Sequence, residues 1–201
     1  MHYDPRQKDH GLPHDPFTAL VVPRPIGWIS TVDRQGRLNL APYSFFNAVS
    51  GRPPFVMFAS NNRKDSQDNA EATGEFVVNM ATSELSHEMN ATSTPWAPDV
   101  DEAARVGLQM SPSKSVRPPR VTRSPVALEC LVTHSIPIIG KDGTAHPTTV
   151  IIGEVIGVYI DDRIVVDGRV DVTLMQPLSR LGYLDYGLLG ETFSLPRPAV
   201  D

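Results

Sequence analysis

Arg63, Lys64, Asp65 and Ser66 follow the apolar run FVMFAS and precede QDNAEATG, a stretch able to wind into a helix. Two cations and a hydroxyl at a helix start make a seat for a phosphate, because the first amides have no internal partner and the dipole there favours negative charge. A second stretch with chemical content is NLAPYSFFN, residues 39–47. A donorless proline, a serine and an asparagine at each end interrupt what would otherwise read as a buried strand. Main-chain groups left without ladder partners can bond the edge of a planar heteroaromatic ring while neighbouring aromatic side chains cover its face. Ser30 and Thr31 end the preceding run IGWISTV, and Arg180 stands among leucines and tyrosines in QPLSRLGYLDYG. Taken singly, these are an edge strand, a solvated loop and a turn with a surface arginine. Together they point to an anionic, flat, partly apolar ligand.

Other chemistries lack their signatures. The chain has no Walker loop, GxGxxG, HExxH, paired CxxC or GxSxG, and His2, His10 and His14 sit in a polar N-terminal stretch that reads as solvated. No metal site is expected. The single cysteine, Cys130, lies in the alternating run VALECLVTH and reads as buried filler, with Glu129 beside it disfavouring a thiolate. A net charge of −5, from 18 basic and 23 acidic residues, offers no field for nucleic acid. No apolar run approaches the roughly 20 residues that span a bilayer, and the opening MHYDPRQKDHGLPHDP does not read as a secretory signal. A cytoplasmic protein without membrane or nucleic-acid partners is expected.

At 201 residues the chain fits one sizeable domain, read here as 17–201 behind a polar arm at 1–16. Nineteen prolines and fourteen glycines cut it into short β-branched and aromatic pieces, so the fold class is mainly β. The pieces predict strands at 17–22, 26–32, 44–50, 55–60, 75–80, 126–135, 148–160 and 163–166. Asp167-Gly168 signals a two-residue hairpin, with weaker turns at 33–36 and 141–143. Short helices are predicted over 82–91 and 99–107, the second opening with Asp99 and Glu102 in capping-box spacing and stopping at Gly107. Residues 111–125, SPSKSVRPPRVTRSP, read as an extended surface crossover.

The ordered set PRPIGWIST, NLAPYSFFN, RKDS, GEFVVN, GEV and LSRLG resembles the flavin reductase-like family of FMN-binding split-barrel proteins, from about Leu20 to the final FSLPRP. The resemblance implies an antiparallel split β-barrel with a few peripheral helices, a homodimer, and FMN near the subunit interface. Carried over by position, Ser30, Thr31, Arg63, Lys64 and Ser66 would bind the phosphate and ribityl end. Asn39, Ala41, Pro42, Tyr43, Ser44 and Asn47 would border the isoalloxazine, and Arg180 would close the site or support it from behind. The implied function is an FMN-dependent oxidoreductase with no catalytic side chain, drawing on NADH or NADPH and serving a redox partner such as a monooxygenase. The alternative is a non-enzymatic FMN electron carrier reduced by a partner protein. Tyr183 stands where relatives carry a second glycine after LSRLG, which bears on the substrate more than on the cofactor.

Overall fold

The structure, a computed structural model, describes residues 1–199. Its strands are β1 Arg24–Pro25, β2 Gly27–Val32, β3 Leu38–Tyr43, β4 Phe46–Gly51, β5 Pro54–Asn61, β6 Glu75–Met80, β7 Met110–Ser111, β8 Arg120–Val121, β9 Val126–Ile139, β10 Ala145–Ile160, β11 Val165–Val166, β12 Arg169–Val170, β13 Leu178–Arg180 and β14 Tyr186–Leu188. The helices are α1 Phe17–Leu20, α2 Asp65–Thr73, α3 Ser86–Ala91, α4 Glu102–Arg105 and α5 Val172–Met175. No helix among the described residues is long and apolar enough to cross a membrane.

Seven strands form one antiparallel sheet in the order β3-β2-β6-β9-β10-β5-β4. β3 and β4 are its opposite edges, yet only Ser44 and Phe45 separate them in the chain. Three Cα steps cover at most about 11 Å, so the sheet must curl until its two edges stand side by side. No ladder joins them. The result is an antiparallel split barrel.

β2 shows why the sheet curls around one core and carries a second outside. All six of its residues are buried, and alternation sends Trp28 and Ile29 to opposite faces. Ile29 packs inside with Tyr43, Phe58, Phe76 and Ile151, the Phe58 ring lying 4.9 Å from Tyr43 and 5.3 Å from Phe76. Trp28 packs outside with Leu40, Leu85, Met89 and Val121 beneath α3 and α4. The crossover 111–125 is tied to the barrel by hydrogen bonds along its length. The Glu129 carboxylate accepts from the Lys114 and Ser115 amides at 2.9 and 2.6 Å. Asn79 Oδ1 accepts from the Val121 amide at 2.7 Å, and Ser30 Oγ donates to the Pro119 carbonyl at 2.6 Å.

Four sequence expectations are corrected. Residues 17–20 form α1 instead of a strand: Asp15 Oδ1 accepts from the Phe17 amide, and the prolines at 16 and 23 leave no run long enough to pair. Strand 44–50 begins at Phe46, because Ser44 and Phe45 form the corner between the barrel edges. The strand read at 163–166 starts with a 3-10 turn at Asp162–Ile164, capped by Asp161. The helix predicted over 99–107 shortens to α4, capped by Asp101 through the Ala104 amide at 2.9 Å, so Glu102 is released from capping. Asp167 and Gly168, at φ 50° and 74°, form the tight hairpin that their types predict.

Gly153 admits no side chain, since a Cβ there would lie 2.5 Å from the Phe76 ring. Gly153→Val is expected to destabilise by about 1–3 kcal/mol through overpacking, read as a lowered urea midpoint at unchanged m-value.

Candidate functional site

β3 presents one edge to β2 along its whole length, with Trp28 opposite Pro42 and Ser30 opposite Leu40. Its other edge meets no strand. The Leu40 amide points to that open edge and donates to Glu102 Oε2 at 2.9 Å. Strand alternation puts position 42 on the same edge, where proline's missing donor costs no ladder bond. Glu102 and Pro42 thus finish the edge without a strand.

A cleft of about 280 Å³ opens along it. Asn39, Ala41, Pro42 and Tyr43 form one wall and Arg63, Lys64, Asp65 and Ser66 another, with Thr92 to Trp96 and Glu102 completing it. Asn62, at φ 63°, turns the chain from β5 into this second wall. Lys64 is the cap residue of α2, and no side chain caps the helix start, so its first amides keep their donors. Arg63 is neutralised by Asp68 and by Glu71, the latter at 2.9 Å. Lys64 has no ion pair among the described residues and is the uncommitted cation of this wall.

Beneath that wall a polar layer sets the side chains. Asn39 Nδ2 donates to Ser66 Oγ at 2.8 Å, and Asn69 Nδ2 donates to Thr31 Oγ1 at 3.2 Å. The Tyr43 hydroxyl is buried near the Ser66 and Ser60 hydroxyls, and burial pushes its phenol pKa up against their lowering effect. Two carboxyls also line the cleft. Burial raises the pKa of Asp65, with the Asp68 charge adding to it. Burial likewise raises Glu102, against the lowering effect of the Leu40 amide.

A second cleft of about 380 Å³ adjoins the first, sharing Pro42 and Ser93. Ser44 and Arg180 belong here, beside Ile26, Met89, Asn90, Leu184 and Tyr186. The structure therefore gathers Asn39, Ala41, Pro42, Tyr43, Arg63, Lys64 and Ser66 in one cleft and Ser44 and Arg180 in its neighbour. Thr31 supports the first cleft from behind. Ser30 is turned to the crossover at Pro119, and Asn47 is an exposed β4 residue whose Oδ1 accepts from the Ala48 amide. Cys130 is buried inside the barrel, its thiol pKa raised first by burial and then by Glu129.

Sequence reasoning missed Trp96 and Glu102. TSTPWAP carries its tryptophan between prolines, and a large aromatic held on a nonhelical loop was the available signal. The loop is anchored from the core: Trp28 Nε1 donates to Thr92 Oγ1 at 2.9 Å, and that hydroxyl donates to the Met89 carbonyl at 2.8 Å. Glu102 was legible only as a helix-start acid.

The chain matches the family model described as flavin reductase like domain over residues 19–173, and it belongs to that family. It is 36% identical to an uncharacterized protein of Halalkalibacterium halodurans, over 90% of this chain and 88% of that one. Its structure is similar to that of nitrilotriacetate monooxygenase component B from Bacillus cereus, with a TM-score of 0.89, 28% identity, and 97% and 98% of the two chains covered. It is also similar to 2-nitrobenzoate 2-nitroreductase NbaA of Pseudomonas fluorescens, with a TM-score of 0.84, 28% identity, and 98% and 96% covered.

The Glu102 carboxyl has its folded pKa raised, so its contribution to stability is full below the ordinary glutamate value and is lost as pH rises through the raised one. Glu102→Gln keeps an acceptor for Leu40 and removes that titration. The unfolding free energy of the wild type minus that of the variant is expected to fall as pH rises from about 4 to 7. Glu102→Ala, which strands the Leu40 amide, is expected to cost about 1–3 kcal/mol in the same urea titrations.

Proposed function

We propose that this protein is an FMN-binding oxidoreductase whose cofactor occupies the cleft between the open edge of β3 and the start of α2. The observation that carries the reading is the uncapped α2 start with its uncommitted Lys64, facing a proline-finished strand edge across a cleft that also holds Trp96. Lys64 and the free helix amides suit a phosphate. Trp96 suits the face of a planar ring.

Within this proposal Lys64 and Ser66 hold the phosphate end, with Thr31 and Asn39 orienting Ser66. Arg63 acts through its pairs with Asp68 and Glu71, fixing the loop. Ala41, Pro42 and Tyr43 border the ring, and Ser44 and Arg180 lie past Pro42 on its far side. Ser30 and Asn47 have no route into the cleft within one chain. Bound FMN supplies hydride acceptance and electron transfer. The chain's own work is to position the ring and exclude water from it. No nucleophile or general base is required of the protein, and NADH or NADPH is the proposed donor.

Family resemblance supports a homodimer, as do the exposed apolar side chains of Ile136, Ile138, Ile156, Val158 and Ile160 on β9 and β10. The similarity to a monooxygenase component supports a partner enzyme as acceptor.

Purified protein is expected to take up FMN and to be bleached by NADH or NADPH under anaerobic conditions. Lys64→Ala is expected to weaken FMN binding roughly tenfold, and Trp96→Ala by about 0.5–1.5 kcal/mol, read by flavin fluorescence. A yellow protein inert to both nicotinamides but reduced by a partner protein would make it an electron carrier. A chain that takes up no FMN would overturn both.

A further inference from the structure

Arg180 and Arg24 are direct cross-strand partners in the β1–β13 ladder. Like charges placed opposite each other are destabilising, and neither guanidinium has a carboxylate partner among the described residues. Arg24 is buried and committed to the chain itself: it donates to the carbonyls of Thr18, Val21 and Leu181, and its Nε is buried with no partner at all. Arg180 is only half-buried and opens into the second cleft. One of its terminal nitrogens donates to the Tyr183 carbonyl, held by a left-handed turn at φ 56°, and its guanidinium stands 4.5 Å over the Tyr186 ring. Of the five donors a guanidinium carries, the rest are uncommitted. Arg180 is the charged side chain lining a cleft of about 380 Å³ that Ile26, Met89, Leu184 and Tyr186 also border, with the buried Arg24 opposite it in the ladder.

We infer that the second cleft binds a small organic acid with a flat apolar body, its carboxylate on Arg180 and its body against Tyr186. Guanidinium matches carboxylate with two parallel hydrogen bonds, and a cavity of this size with apolar walls and one fixed charge suits a small molecule. This inference rests on the flavin reading for its meaning. Because the clefts meet at Pro42, an acid seated here lies beside the proposed ring and is the class of molecule that would exchange electrons with it.

FMN-supplemented protein is titrated with benzoate and with neutral benzamide, followed by calorimetry and by the flavin absorption bands. Benzoate is expected to bind and perturb the flavin bands without releasing FMN, with benzamide roughly tenfold weaker or worse. Arg180→Gln is expected to remove that preference. Arg180 also holds the Tyr183 carbonyl, so a second pair of variants uses Leu184, which is 84% exposed and free of packing duty. Leu184→Lys should tighten benzoate and Leu184→Glu weaken it by roughly two- to fivefold, with no effect on benzamide. Equal affinity for both probes, no binding of either, or release of FMN by benzoate would overturn the inference. If the chain takes up no FMN, the flavin reading fails, and calorimetry of benzoate on the same chain and variants still decides for or against the Arg180 site.

Discussion

The outer edge of β3 is finished without another strand, and the site depends on how that is done. A barrel strand with a free edge exposes a row of amides and carbonyls that would recruit a partner chain. Here the Leu40 amide is taken by a side chain from α4, and the next outward position is a proline with nothing to donate. These two residues stop the sheet from closing on itself at β4, though only two residues link the strands. The gap that remains is the cleft.

Everything that borders the gap is positioned by it. α2 begins where β5 leaves the barrel, so its free amides look across at β3, and Asn39 ties that helix start to the strand through Ser66. The loop 92–96 closes the outer side because Trp28, buried beneath it, grips Thr92. The charge balance is mixed: Lys64 favours an anion, whereas the carboxyls of Asp65 and Glu102 on the same cleft oppose one. On the other side of Pro42 the one charged lining residue is Arg180. The two adjoining clefts therefore differ in what they can hold.

Much of this was legible in the residues. β-branched pieces between prolines and glycines marked the strands, and the ordered motifs marked the family and the barrel. RKDS announced a helix start, and APYSFF an unusual edge. What escaped reading was long-range. FTALVV has strand composition, but the flanking prolines and the hydrogen bond from the Phe17 amide to Asp15 make it a helical turn. Asp99 and Glu102 have capping spacing, yet Asp101 caps and Glu102 reaches a strand 62 residues away in sequence. Ser30 and Thr31 are adjacent, so alternation sends them to opposite faces, and only Thr31 backs the cleft. Opposed arginines at positions 24 and 180 carry no local signature at all, since strand pairing alone brings them together.

Amide hydrogen exchange with and without added FMN tests the central claim most directly, because it reports each backbone segment separately. The account predicts new protection at residues 63–66 and 92–96, with the Leu40 amide, already held by Glu102, and the β4 segment around Asn47 unchanged. Protection confined to other segments, or none in these two at saturating FMN, would contradict it.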